Sequence, residues 1–158
     1  MVRACVFPTT EAKRAALQKL LREHGDDIPE EFIRKATTDE NILGWSALCE
    51  DEDPTTPVSA ARFEVSDWYS CTVKNLVTRR DFREQGLGRR VTHEVIKQAE
   101  AHDCKVLLAD ITKGNKPSEA IFKDEGFKVV DRFCWASGER PGRIYHYVRQ
   151  RPLRGRCP

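Results

Sequence analysis

Short apolar runs separated by turn residues are the main pattern of this chain, and they predict seven strands. The runs cover residues 2–7, 42–49, 58–65, 68–78, 106–110, 127–136 and 143–148. An acidic, proline-bearing segment at 50–57 separates the second run from the third. Its prolines cannot continue a sheet, so these two strands are predicted to form a hairpin.

Between the strands, the apolar spacing changes to that of helices with one buried face. One apolar stripe comprises Ala12, Ala16, Leu17, Leu20 and Leu21, and another comprises Leu87, Val91, Val95, Ile96 and Ala99. Thr9 or Thr10 is the candidate N-cap of the first helix, and Gly25 stands where a left-handed C-terminal residue is expected. Pro29 in a first turn predicts a second, shorter helix at 29–36.

The helix of the later stripe begins at two glycines, Gly86 and Gly88, directly after a strand. The first N–H groups of a helix have no intrahelical partner and its N-terminus carries partial positive charge, so residues 85–90 offer donors to an anion. Glycine lacks the Cβ atom that would hold a phosphate away from these donors. The third glycine of a dinucleotide-binding fingerprint and the Gly-Lys-Ser/Thr of a P-loop are missing. The pattern therefore predicts a phosphate cradle of another kind.

Two sequence blocks carry a resemblance to a known family. Arg83-x-x-Gly86-x-Gly88, after a strand, resembles the R/Q-x-x-G-x-G/A signature of the GNAT superfamily of acyl-CoA-dependent N-acyltransferases. Residues 115–127 resemble the later family pattern of an asparagine, a short helix with an alanine and an aromatic residue, and Gly-Phe. The chain is therefore identified as a candidate member of this superfamily.

The resemblance implies an α/β (α+β) architecture, the GNAT fold. Its central sheet is mixed and mostly antiparallel, with about seven strands, about four flanking helices and a splay between the fourth and fifth strands. One acetyltransferase domain is expected at residues 1–148. The basic, proline-bearing tail at 149–158 is expected to be disordered.

The resemblance also implies acetyl-CoA as the acyl donor and assigns residues to it. The pyrophosphate is expected at the amides of residues 85–90, with Arg83 and Arg89 as charged supplements. In the family, main-chain donors of the splayed fourth strand polarise the thioester carbonyl, and they map here to residues 76–78. The complete predicted cofactor set is Leu76, Val77, Thr78, Arg83, Glu84, Gln85, Gly86, Leu87, Gly88, Arg89, Asn115 and Phe122.

The catalytic groups are implied by the family branch that acetylates protein N-termini. There, a glutamate at the end of the fifth strand acts as base and a tyrosine in the later helix acts as acid; the matching positions here are Asp110 and Phe122. Asp110 is the predicted general base, on a shorter arm that needs a bridging water to reach the amine. Phe122 has no proton to donate. The open candidates for the acid are Tyr145, Tyr147, Cys134 and Tyr69, and Tyr145 is the one included among the predicted site residues.

The predicted function is transfer of an acetyl group from acetyl-CoA to a primary amine of a small molecule or peptide, by direct attack in a ternary complex. The missing acid tyrosine keeps a second class open, a GNAT-fold protein that binds acyl-CoA as a sensor or partner with little or no catalysis. The acceptor is not specified. The last strand, at 143–148, offers an edge for a homodimer.

Composition limits the remaining possibilities. The 158 residues are 39% hydrophobic and 33% charged, which suits one globular domain. No apolar run approaches the roughly 20 residues that span a bilayer, and the N-terminus has no apolar leader, so a cytoplasmic protein is expected. The six cysteines include no C-x-x-C pair and are predicted to be reduced, mostly buried thiols without a metal. The net charge of +2 is too small to demand a nucleic-acid partner.

Overall fold

A computed structural model describes residues 1–7, 10–25, 28–38, 42–67, 69–135 and 142–150. The strands within these ranges are β1 (Val2–Phe7), β2 (Ile42–Glu50), β3 (Pro57–Asp67), β4 (Ser70–Thr78), β5 (Val106–Thr112), β6 (Lys128–Trp135) and β7 (Gly142–Gln150). The helices are α1 (Glu11–His24), α2 (Glu30–Thr38), α3 (Leu87–Ala101) and α4 (Lys116–Asp124). Predictions that involved Thr9, Trp68, Ala136 and residues 151–158 lie outside the described ranges.

The strands form one sheet in the order β1-β2-β3-β4-β5-β7-β6. The β4–β5 pair is parallel and every other neighbouring pair is antiparallel. Side chains of α3 and α4 pack in an apolar cluster on one face of the sheet, and side chains of α1 and α2 pack in a second cluster on the other. The predicted mixed, mostly antiparallel sheet with flanking helices is confirmed. None of the helices in the described part of the chain combines the length and apolar character needed to cross a membrane.

The sheet opens between its two parallel strands. Pairing between β4 and β5 consists of Ser70 with Val106, Cys71 with Leu107, and Thr72 with Leu108. Beyond these pairs both strands continue, to Thr78 and Thr112, without being paired to each other. This confirms the predicted splay between the fourth and fifth strands.

The C-terminal end of α1 differs from the prediction. Gly25 has φ −79° and ψ 129°, so it is extended and not left-handed. A Cβ atom at this position would lie 2.5 Å from both the Leu21 carbonyl oxygen and the Ile28 Cδ1 atom. Glycine is required here because a side chain would collide with the Leu21 carbonyl and with Ile28, rather than because of a positive φ.

The last strand is longer than the apolar pattern predicts. β7 includes Arg149 and Gln150, which were assigned to the disordered tail, and that boundary is wrong by two residues. Arg149 pairs with the Glu100 carboxylate of α3 at 2.7 Å, an attachment that apolar spacing cannot reveal.

A disulfide joins Cys71 to Cys104, so the expectation of reduced thiols is wrong for this pair. Cys71 lies in the paired part of β4, and the crossover through α3 returns the chain to Cys104 just before β5. Their Cα atoms are 6.2 Å apart although the residues are 33 positions apart in sequence. No local spacing could therefore have indicated the bond.

We expect the disulfide to stabilise the fold by restricting the unfolded chain. Cys71→Ala should lower the free energy of unfolding by about 3–4 kcal/mol under oxidising conditions, as expected for a loop of this length. Cys104→Ala is the matched variant. The free energy of unfolding of the reduced wild-type protein should approach that of both variants. Denaturant unfolding measures the difference. Equal stability of the oxidised and reduced wild type would contradict a stabilising disulfide.

Candidate active site

The splay between β4 and β5 forms a cleft that α4 borders. The cleft is lined by Val73, Lys74, Asn75 and Leu76 of β4, Ala109, Asp110, Ile111 and Thr112 of β5, and Asn115, Ser118 and Phe122 at α4. Its volume is about 180 Å³. Small-molecule sites usually enclose about 300–1,000 Å³. The cleft therefore suits a slender part of a ligand, with the remainder bound outside it.

Asp110 lies at this cleft, two residues before the end of β5. Its neighbours Ala109 and Ile111 are buried in the apolar cluster that contains α3. Successive side chains of a strand point to opposite faces, so Asp110 is directed to the α1–α2 face, where it is exposed. A carboxylate at this position can exchange a proton with a group in the cleft.

The glycine turn stands at the start of α3, as predicted. Gly86 is the N-cap, with φ 74° and ψ 4°, a left-handed conformation that favours glycine. A Cβ atom built on Gly86 would meet nothing within 4 Å, so the turn faces open space. At Gly88, a Cβ atom would lie 3.1 Å from Ile121 Cδ1, which shows that α3 and α4 approach closely there. The Arg90 amide donates the first hydrogen bond of the helix, to the Gly86 carbonyl at 3.0 Å, so the amides before Arg90 have no partner within the helix.

The two arginines predicted to supplement this anion site both contact protein groups. Arg83 Nε donates a hydrogen bond to the Thr78 carbonyl at 3.2 Å, and its Nη2 donates to the His24 carbonyl at 3.0 Å. Arg89 pairs with the Asp124 carboxylate of α4. Arg83 therefore joins the ends of α1 and β4 to the glycine turn, and the phosphate-binding roles of both arginines stay predictions.

Asp81, beside the turn, forms an ion pair with Arg79. Arg79 Nε and Nη2 donate to the Asp81 carboxylate at 3.0 and 2.5 Å, and the guanidinium lies over the Phe82 ring at 4.5 Å. These hydrogen bonds hold the pKa of Asp81 below its usual value and raise the pKa of Arg79. Asp81 stays ionised, but its charge is compensated and does not oppose an anion at the turn.

Pairing with β3 sets the directions in which the backbone amides at the end of β4 point. The Arg79 amide donates to the Val58 carbonyl at 2.8 Å. Amides of an antiparallel strand alternate in direction, so the Thr78 amide points away from β3 to the cleft side, and the Val77 amide points to β3. The Thr78 hydroxyl is held by Ser59 Oγ at 2.9 Å. Leu76, two residues earlier, has the same amide direction and lines the cleft, so it is the member of the predicted donor set that offers the cleft an N–H group.

Asn115 and Phe122 both line the cleft and both also have structural roles. Asn115 caps α4, where its Oδ1 accepts a hydrogen bond from the Ser118 amide at 3.3 Å. Phe122 is buried and packs edge-to-face on Phe127, with ring centroids 5.0 Å apart. Their positions agree with the predicted cofactor contacts, which stay predictions.

The candidate acids are distributed over the sheet. Tyr147 is buried in the α3 cluster, on the opposite face from Asp110. Tyr69 precedes β4 at the paired end of β4 and β5, away from the splayed end. Tyr145 pairs through its backbone with Ile111 of β5. The side chains of Tyr145 and Cys134 lie outside the described part of the structure.

The apolar spacing of the sequence did not predict a set of contacting charged and polar side chains beside the cleft. Arg62 of β3 is 3% exposed; its Nε donates to Asn75 Oδ1 at 2.6 Å and its Nη2 lies 2.8 Å from Glu64. Lys74 Nζ contacts the second oxygen of the same carboxylate at 2.7 Å. The available signal was an arginine and a glutamate within the largely apolar run of residues 58–65.

Comparison with known proteins identifies the family. The family model "Acetyltransferase (GNAT) family" matches residues 9–127. The comparison with curated proteins found no significant match.

Three solved structures illustrate the similarity of fold. The ribosomal-protein-S18-alanine N-acetyltransferase from Escherichia coli has 16% identity and a TM-score of 0.78, over 98% of this chain and 97% of that one. NAA60 of Arabidopsis thaliana, in complex with acetyl-CoA, has 13% identity and a TM-score of 0.77, over 94% and 99%. An acetyltransferase from Streptococcus agalactiae has 19% identity and a TM-score of 0.73, over 94% and 98%. The family match, together with the glycine turn and the splayed sheet, shows that the chain belongs to the GNAT family of acetyltransferases.

Proposed function

We propose that the protein is an acetyl-CoA-dependent N-acetyltransferase, which transfers the acetyl group to a primary amine of a small molecule or peptide by direct attack in a ternary complex. The observation that carries this proposal is the position of the cleft. It lies between β4 and β5, and the glycine turn at the start of α3 follows the splayed end of β4. One ligand can thus place its phosphates on the turn and its acyl arm in the cleft.

The residues present fit acetyl-CoA, which supplies the acetyl group as an activated thioester. The open space at Gly86 would admit a pyrophosphate to the amides of residues 85–89, whereas the predicted donor at Arg90 already donates to the Gly86 carbonyl at 3.0 Å. The cleft volume of about 180 Å³ suits the slender arm, with Leu76 of β4 and Asn115 and Phe122 at α4 among the lining residues. We expect the Leu76 amide, at the wall of the cleft, to donate to the thioester oxygen, an interaction that strengthens as negative charge develops there.

Asp110 is the proposed general base. The acceptor amine is protonated in water and must lose a proton before it can attack. Asp110 is exposed at the cleft and can take that proton through a bridging water. Phe122 cannot protonate the leaving thiolate, so that proton comes from solvent or from Tyr145, which remains the proposed acid.

A second function is favoured by one observation. Phe122, at the position where the related N-terminal acetyltransferases use an acid tyrosine, is buried and has no ionisable group. A protein that binds acyl-CoA as a sensor, with little turnover, is consistent with this side chain. Thiol release measured with a broad panel of primary amines separates the two functions. A transferase exceeds the background rate, whereas a sensor binds the thioester without releasing thiol.

Gly86→Asp should strongly weaken acetyl-CoA binding, with Gly86→Asn as the matched control. Both residues tolerate a left-handed conformation better than most, so the pair differs mainly by one negative charge. At about 5 Å from a phosphate and an effective dielectric constant of about 20, that charge opposes binding by about 3 kcal/mol. The Asp variant should therefore show a Kd at least about 100-fold above that of the Asn variant.

Isothermal titration calorimetry with acetyl-CoA and CoA measures this difference, and circular dichroism checks that both variants are folded. The same Kd for the two variants would place the phosphate site away from the glycine turn.

Asp110→Asn should lower kcat by about 100-fold and leave the Kd for acetyl-CoA within about twofold, since a base acts on the acceptor and not on the donor. Asp51→Asn, which removes an exposed acid after β2, is the control. Wild-type kcat in Asp110→Asn would exclude Asp110 as the base.

A further inference from the structure

Arg62 is buried in the centre of the sheet although its guanidinium is charged. Its side chain is 4% exposed, and the ring of Phe32 from α2 covers the guanidinium at 5.7 Å. Burying such a group is unfavourable unless its donors are satisfied. Two of the interactions that satisfy it lead to Glu64 at 2.8 Å and to Asn75 Oδ1 at 2.6 Å. The contact with Asn75 connects β3 to the wall of the cleft.

Asn75 is the irregular residue of β4. Its φ is 53°, a left-handed value inside a strand, which asparagine adopts more readily than most residues. The register with β3 shifts here, because Ala60 pairs with Val77 while Arg62 pairs with Lys74. Two residues of β4 thus stand opposite one residue of β3, which is a β-bulge.

Side-chain packing shows the same bulge independently. Val73 is buried in the apolar cluster on the α3 face, and Leu76 packs against that cluster. Residues three positions apart in a regular strand point to opposite faces. The extra residue at Asn75 therefore restores Leu76 to the face of Val73. The bulge falls three residues after Thr72, the last residue of β4 that pairs with β5.

We propose that Arg62 is a positioning residue for the transfer reaction, acting through Asn75. A bulge bends its strand, and this one lies where β4 leaves β5. The Arg62–Asn75 hydrogen bond fixes the conformation of the bulge and with it the direction of the amide that follows, that of Leu76 at the wall of the cleft. The inference rests on the proposed function, since this amide is the donor expected to hold the thioester oxygen.

Glu64 and Lys74 complete the arrangement. Glu64 lies between the two cations, with one oxygen on Arg62 and the other on Lys74, and Lys74 precedes Asn75 in β4. Arginine presents several donors in a planar fork and can hold Glu64 and Asn75 together. Lysine has a single ammonium group and cannot reproduce this geometry.

The test is Arg62→Met, with Arg62→Lys and Asn75→Gly as companions and Arg149→Met as the matched control. Arg149 also pairs with a glutamate, at 2.7 Å, but lies opposite Leu107 at the closed end of β5. Arg62→Met should lower kcat by about 10- to 100-fold, the effect of misplacing an oxyanion donor by an ångström or less. The Kd for acetyl-CoA should stay within about threefold, because the glycine turn is intact.

Asn75→Gly tolerates the positive φ but removes the hydrogen-bond acceptor, so it should lower kcat as Arg62→Met does. The double variant should be no slower than Arg62→Met, as expected when two residues act through one contact. Arg62→Lys should have an intermediate kcat. Hydrogen exchange of backbone amides in residues 74–79 should quicken in Arg62→Met and Asn75→Gly and stay unchanged in Arg149→Met.

Wild-type kcat in Arg62→Met, or an equal loss in Arg149→Met, would overturn the positioning role. Additive losses in the double variant would also overturn it, because they would mean that the two residues act separately. Absence of acetyl transfer by the wild type would instead contradict the proposed function. In that case, amide exchange still decides whether Arg62 fixes the bulge.

Discussion

Backbone N–H and C=O groups in the middle of a sheet need partners, and β4 and β5 stop providing them to each other after Thr72 and Leu108. The rest of the site depends on this constraint. The splay turns backbone donors of β4 into groups that a ligand can bind, and it exposes Asp110 beside them. The crossover helix of a parallel pair starts where the first strand ends, so the N-terminal end of α3 necessarily follows the opened part of β4.

The two faces of the sheet have different roles. The α3–α4 face is a continuous apolar core that reaches under the cleft through Val73, Ala109 and Ile111. On the α1–α2 face the apolar packing gives way to charged residues near the cleft, among them Arg62 and Glu64. Side chains alternate along β5, so Ala109 and Ile111 belong to the apolar core while Asp110, between them, is exposed on the other face. An acceptor that approaches from the α1–α2 side meets charge, while the core behind it is undisturbed.

Features encoded within a few neighbouring residues could be predicted from the sequence. The start of α3 at Gly86 is one, because a left-handed glycine and an amphipathic stripe are adjacent in the chain. The seven strands and the splay between the fourth and fifth were also predictable, with the help of a family resemblance. The Arg62–Asn75 contact and the Cys71–Cys104 bond were not, because each joins residues that only the sheet and the crossover bring together. At Gly25 a local rule was misleading, because glycine can serve close packing as well as a positive φ.

The Cys71–Cys104 disulfide closes a covalent ring around the crossover that contains the splayed half of β4, the glycine turn and α3. A protease that cuts one peptide bond inside this ring leaves the two pieces joined. Their separation requires both the cut and a reductant. This segment can therefore be nicked in an exposed loop while β4 stays linked to the start of β5, as long as the bond between the sulfur atoms persists.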